Sequence, residues 1–137
     1  MILRFHQGSG LGNQKNTKIK MTKRKKHFLV TGGTGFLGSA ICKLLLNRGY
    51  KVTVFDNNSR GSFNSIRDVK NKLRFIKGDV RDANKVNISL KHIDAVIHLA
   101  YVNGTKYFYT KPILILDIAV KGILNVLDGC IKNNIKE

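Results

Sequence analysis

Acid is scarce in this chain: 8 aspartates and glutamates stand against 25 lysines and arginines, a formal net charge of +17. Cysteine and proline are scarcer still in number, with two of the first and one of the second. Cys42 and Cys130 fall at apolar positions of predicted helices and lack metal-type spacing. That excludes a disulfide scaffold and a thiolate metal centre, and it predicts buried, reduced thiols in a cytoplasmic protein. The longest apolar tract, Ile113 to Val120, is interrupted by Asp117, and the N-terminus has no signal-peptide core, so no membrane span is expected. His6, His27 and His92 have no spacing of metal ligands, and no metal site is expected. Nucleophile elbow, phosphate-loop lysine and cysteine cluster are all missing.

So large a positive charge invites a nucleic-acid reading, and its distribution decides the weight of that reading. Arg4, Lys15, Lys18, Lys20, Lys23, Arg24, Lys25 and Lys26 lie in the first 27 residues, which contain no acid. The remaining +9 is spread singly over predicted helices and loops. Diffuse lysine of this kind is a solvated surface, so weak, non-specific nucleic-acid binding confined to residues 15–26 is expected and specific binding is not. Residues 1–25 are expected to be a basic, disordered tail, with Met21 as an alternative start.

What the chain does have is a glycine cluster in an informative place. His27-Phe28-Leu29-Val30 reads as a short strand; Thr31-Gly32-Gly33-Thr34-Gly35-Phe36-Leu37-Gly38 follows it and opens an amphipathic segment. Strand, glycine turn and helix in that order make a phosphate cradle, because only glycine lets backbone N–H groups come against a pyrophosphate. Two registers overlay: Gly33-x-Gly35-x-x-Gly38 and Gly32-x-x-Gly35-x-x-Gly38. The next strand, Lys51 to Phe55, ends in Asp56. A carboxylate there accepts both hydroxyl hydrogens of an adenosine ribose and repels a 2′-phosphate, which favours NAD over NADP. Arg60 is the one feature that softens this preference, and a turn former beside Asn57 and Asn58 is the plainer reading of Asp56.

Beyond the turn, strand and helix patterns alternate. Helix is predicted over 35–48 with Leu37, Ile41, Leu44 and Leu45 on its buried face and Gly49 as its stop. A short helix over 62–68, a strand over 73–77, a weak helix over 84–91 and a strand over 94–100 follow. Pro112 suits the first turn of a long helix to about Asn133, with Leu116, Val120, Ile123, Leu124, Leu127 and Ile131 buried. Alternation of this kind predicts an α/β protein with a doubly wound parallel sheet.

Four motifs taken in order add a family resemblance. The Thr31–Gly38 turn is followed by Asp56-Asn57 with Ser59-Arg60-Gly61, by Gly78-Asp79-Val80-Arg81-Asp82, and by His98-Leu99-Ala100; Asp117 to Leu127 extends the match. Residues 26–137 resemble the N-terminal part of an extended short-chain dehydrogenase, in the NAD-dependent epimerase/dehydratase branch that acts on nucleotide sugars. The resemblance covers about four-fifths of the chain and implies an incomplete Rossmann-type NAD-binding domain over 26–137, truncated after about four strands. It implies cofactor contacts from Gly32, Gly35, Phe36, Leu37 and Gly38, from Asp56 and Asn57, from Asp79 and Val80 at the adenine, and from Leu99, Ala100 and Tyr101 along the wall. Tyr101 stands where the family has a small residue, and Ala119 where it has asparagine. The family's catalytic Ser or Thr and its Tyr-x-x-x-Lys pair lie beyond a fifth strand, which should begin at Ile135-Lys136-Glu137. The chain is therefore expected to bind NAD, to carry no catalytic residues, to take a nucleotide sugar only if completed by a C-terminal region, and to self-associate through uncovered apolar surface.

Three further features are weighed against that reading. Tyr107-x-x-x-Lys111 has the catalytic spacing, but it is expected in a loop, and Pro112 should push Lys111 out of helical geometry. His98 is expected to be a hydrogen-bonded core histidine. Residues 1–14 resemble the first strand and glycine loop of a fucosyltransferase-like glycosyltransferase, with chance or a misjoined reading frame the preferred account. The competing functions are a non-catalytic NAD-binding module and a basic nucleic-acid-binding protein.

Overall fold

The computed structural model describes residues 24–137, so the expected tail, apart from Arg24 and Lys25, and the Met1–Gln14 segment lie outside the described residues. Four strands, β1 (His27–Thr31), β2 (Lys51–Asp56), β3 (Arg74–Lys77) and β4 (Ala95–His98), form one sheet in the order β3-β2-β1-β4. All pairings are parallel, with Phe28 opposite Val52 and Ala95, and Thr53 opposite Arg74. Successive residues of a strand face opposite sides of the sheet, and both sides are covered. Val30, Val52 and Val54 pack with Cys42 and Leu45 of α1 (Phe36–Asn47) and with Ile66 of a 3-10 segment, Phe63–Lys72. Leu29 and Phe55 pack on the other side with Val86 of α2 (Ala83–Ser89), Ile118 and Val126. The result is the doubly wound α/β arrangement that the alternation predicts.

After β4 the chain makes α3 (Thr105–Thr110) and then α4 (Pro112–Leu116), a π turn (Asp117–Lys121) and α5 (Gly122–Lys132). Here the expected buried faces need correction. The side chains that α4, the π turn and α5 bury are Ile115, Ile118, Gly122, Val126 and Gly129, whereas Leu116, Val120, Ile123, Leu124, Leu127 and Ile131 are exposed. The reason is close approach: a Cβ on Gly129 would stand 2.4 Å from Leu90 Cδ1, and one on Gly122 2.8 Å from Val80 Cγ2. The helix lays its glycine side on its neighbours and turns the bulkier row outward. In α1 the same happens on a smaller scale, with Gly38, Cys42 and Leu45 buried while Leu37 and Leu44 are exposed. Cys42 is fully buried, and burial raises its thiol pKa to about 12.

Beyond α5 the chain returns to the sheet. The Val96 amide donates to the Glu137 carbonyl at 2.9 Å, so residue 137 begins to pair alongside β4, where a fifth strand is expected. Arg24 pairs with Asp94, and Lys26 with Glu137. Among the described residues, no helix is long and apolar enough to cross a membrane.

Candidate functional site

The C-terminal ends of β1, β2 and β4 meet at the glycine turn, and a cleft enclosing about 90 Å³ lies above them. In an open parallel sheet this is where the strand order reverses and ligands bind. Gly32, Gly35, Asp56, Asn57, Asp79, Val80, Leu99, Ala100 and Tyr101 line it. Phe36, Leu37 and Gly38 do not; the Phe36 side chain is 97% exposed and that of Leu37 58%. What these three offer is backbone. Gly35 caps α1 without any side-chain bond, and among the described residues the amides of Phe36, Leu37 and Gly38 have no acceptor. Unsatisfied N–H groups at the start of a helix are suited to an anion, with the helix dipole adding to the attraction.

The glycines have different reasons for being glycine. Gly32 has φ +70°, and a Cβ there would lie 2.7 Å from the Leu99 carbonyl carbon and 2.8 Å from the Ala100 nitrogen. At Gly38 a Cβ would stand 2.1 Å from the Gly32 oxygen, so the helix could not start so close to the turn. Gly35 has an ordinary φ of −71° and only Gly32 O near its missing Cβ, at 3.2 Å. Its bareness leaves room in the cleft rather than solving a packing problem inside the fold.

Asp56 is nearly buried, and both carboxylate oxygens are engaged: Oδ2 accepts from the Thr34 amide at 2.9 Å and Oδ1 from the Asn58 amide at 2.8 Å. The turn-former reading of Asp56 is therefore realised in the Asn58 contact. Each oxygen retains acceptor capacity beyond one amide, so a ribose can still be received. Asn57 Nδ2 donates to Asp79 Oδ2 at 3.0 Å, and Arg81 grips the same carboxylate through Nε and a second guanidinium nitrogen at 2.9 and 2.7 Å. The Arg81 fork, above all, holds the Asp79 carboxyl down to about 2.

Thr31 orders the opposite wall. Its Oγ1 receives the Leu99 and Ala100 amides at 3.0 and 3.2 Å and lies 2.7 Å from His98 Nδ1. A hydroxyl has one hydrogen and two lone pairs; accepting from the two amides leaves its hydrogen to give, which suits donation to an unprotonated Nδ1. Burial acts in the same direction, lowering the His98 pKa. This is the hydrogen-bonded histidine that the sequence predicts, and it fixes the strand end from which Leu99, Ala100 and Tyr101 emerge.

Tyr107 corrects one expectation and Lys111 meets another. Tyr107 lies in α3 rather than in a loop, and its ring stacks under the Arg60 guanidinium at 4.9 Å. Lys111 follows the helix with φ −144° and ψ 52°, outside helical geometry, so the pair does not share a helix face. The cleft also takes in Phe55, Ser59, Arg60, Gly61, Gly78, Val102 and Ile118. Ser59, Arg60, Gly61 and Gly78 belong to the motifs themselves, Phe55 and Val102 lie within two residues of them, and Ile118 arrives from a remote helix within the last motif.

Comparison with known proteins agrees with this geometry. Residues 28–137 match the model of the NAD dependent epimerase/dehydratase family. A UDP-N-acetyl-alpha-D-glucosaminuronate decarboxylase of Bacillus cytotoxicus is 31% identical over 112 residues, covering 82% of this chain and 35% of that protein. The crystal structure of Thermus thermophilus UDP-glucose 4-epimerase in complex with NAD superposes with a TM-score of 0.74 at 32% identity, covering 80% of this chain and 35% of that one. A dTDP-glucose 4,6-dehydratase of Streptomyces venezuelae, solved with NAD bound, gives 0.75 at 28% identity, over 80% of this chain and 37% of that one. The chain thus spans about a third of the length of these relatives. With the glycine turn, the acidic end of β2 and the family match over most of its length, the chain belongs to the NAD dependent epimerase/dehydratase family.

Proposed function

We propose that this chain supplies the NAD-binding part of a nucleotide-sugar epimerase- or dehydratase-type enzyme. One arrangement carries the proposal: the bare Gly35 and the Asp56 carboxylate line one cleft, and the unpartnered amides at the start of α1 follow directly after Gly35. In this reading the Phe36, Leu37 and Gly38 amides face the pyrophosphate, and Asp56 receives the adenosine ribose and rejects a 2′-phosphate. Asn57, Asp79 and Val80 frame the adenine, while Leu99, Ala100 and Tyr101 form the wall along the rest of the dinucleotide. Bound there, NAD would supply a hydride acceptor for a sugar C–H, and return of that hydride to the sugar would leave the cofactor unconsumed. The Lys111 backbone keeps Tyr107 and Lys111 from acting as a base and its partner, and these 137 residues bind without turning over.

Several attributes follow from the same reading. A nucleotide sugar becomes the substrate only with residues beyond Glu137. The basic segment 1–25 adds no specific nucleic-acid binding to the domain at 26–137. Two unpaired thiols, one of them fully buried, support a cytoplasmic setting. The exposed apolar row on α5 supports self-association.

The test is a calorimetric titration of the full chain with NAD and, separately, NADP. NAD should bind at one site, at least about tenfold tighter than NADP, through the Asp56 charge. Equal affinities, or none for NAD, would overturn the proposal, as would a catalytic rate in the chain alone that Asp56→Ala abolishes.

A further inference from the structure

At the opposite end of the sheet from the glycine turn, the starts of β1, β2 and β3 border a second cleft, of about 510 Å³. Lys25, His27, Lys51, Lys72 and Arg74 line it, with Tyr50 at its side and no carboxylate among its walls. Lys51 opens β2, Arg74 opens β3, Lys72 ends the 3-10 segment and Lys25 precedes β1, while burial keeps His27, at the start of β1, towards its neutral form.

No acid pairs with the cations there, although Asp68 and Asp94 act on Lys72 and His27 from a distance. All 8 acidic residues of the chain lie between positions 56 and 137. Asp68 pairs with Lys43, Asp79 with Arg81, Asp94 with Arg24, Asp117 with Lys121 and Glu137 with Lys26. Asp56 and Asp82 accept from backbone amides, and Asp128 is exposed on α5. None forms an ion pair with Lys25, Lys51, Lys72 or Arg74. Asp94, the carboxylate beside the cleft, is already held by Arg24 and by the His27 amide at 2.8 Å. The crowding registers on His27, whose pKa is lowered by burial first and by the Lys51 charge next.

Like charges side by side on neighbouring strands cost stability, and a concave wall of one sign focuses the field on its interior. Adjacent strands are about 4.8 Å apart, so Lys51 and Arg74 on neighbouring strands, with Lys72 and Lys25 beside them, face a row of negative groups rather than a single one. We propose that this second cleft binds a linear polyphosphate group, either free or as the triphosphate of a nucleotide, independently of the dinucleotide cleft.

The experiment titrates tripolyphosphate into the isotope-labelled full chain at low salt and follows backbone amide resonances. Shifts should centre on Tyr50–Val52 and Asn71–Arg74. Affinity should fall at least about tenfold in Lys51→Gln/Arg74→Gln. It should stay within about twofold in Lys91→Gln/Lys132→Gln, which removes the same charge elsewhere. Lys51→Arg/Arg74→Lys, which preserves the charge, should retain binding and so separates loss of the site from loss of the fold. Adenosine triphosphate is titrated in parallel: equal or tighter binding with the same shifts assigns the nucleotide source, and much weaker binding assigns free polyphosphate. Equal losses in the two glutamine double variants, shifts confined to Gly35–Gly38, or tighter binding of a short oligothymidylate at the same amides would each overturn the proposal.

Discussion

The Thr34 amide donates to Asp56 Oδ2 at 2.9 Å, so the glycine turn after β1 and the carboxylate that ends β2 form one hydrogen-bonded unit. In the proposed reading, the residue that selects the cofactor therefore also holds the shape of the turn that would receive it.

A substitution at Asp56 should for that reason show two effects at once. Asp56→Ala strands the Thr34 and Asn58 amides and should destabilise the fold by about 2 kcal/mol. Asp56→Asn keeps one acceptor oxygen, should cost about half as much, and should narrow the preference for NAD over NADP. Urea unfolding and cofactor titration of the two variants check this. A stable alanine variant with undiminished NAD affinity would show that Asp56 does neither job.

Gly32 and Gly35 should separate structure from binding. Gly32→Ala meets both a left-handed φ and backbone atoms under 3.0 Å away, and should cost more than about 2 kcal/mol. Gly35→Ala is compatible with its φ of −71° and should cost less than about 1 kcal/mol. Its methyl nevertheless enters the cleft, so NAD affinity should fall steeply. Thermal unfolding with and without NAD distinguishes the two; similar stability losses would refute the division.

These glycines also mark how far the sequence alone could be read. Spacing located the turn, the strand before it and the acid after it, because each is a short-range pattern with a local physical cause. It could not say that the side chains of Phe36 and Leu37 turn to solvent and leave only their amides to offer, since that depends on where α1 points. On α5 it failed for a different reason. The row through Leu116, Leu124 and Leu127 and the row through Gly122, Val126 and Gly129 both have helical spacing. Hydrophobicity favours the first, whereas close approach to Val80 and Leu90 selects the second. The basic cleft was equally hidden, because its cations are far apart in sequence and meet only through strand order.

Acid should release the Asp79 anchor. Its carboxyl titrates at about 2 instead of its ordinary 3.8 because Arg81 grips the ionised form. A folded pKa below the unfolded one means stabilisation that is present above about 4 and lost as pH falls towards about 2. Asp79 is partly open to solvent, so the contribution is on the order of 1 kcal/mol. The stability gap between the parent chain and Asp79→Asn should close over that window. Asp68 and Asp94, also lowered, keep both proteins acid-sensitive. A gap that stays constant from neutral pH to pH 2 would exclude the Arg81 contact as its source.

The outward row of α4, the π turn and α5 should govern behaviour in solution. Leu116, Val120, Leu124, Leu127 and Ile131 are each more than half exposed and follow one another along a single helical path. A contiguous apolar strip of this kind on a soluble surface drives association. The full chain should therefore gain mass with concentration in light scattering. Leu124→Glu/Leu127→Glu should remain monomeric at the same concentrations, with no loss of unfolding midpoint, because neither side chain is buried and glutamate is a good helix former. If the double variant unfolds more easily, those leucines belong to the core after all. If the parent chain is already a monodisperse monomer, the strip does not drive association.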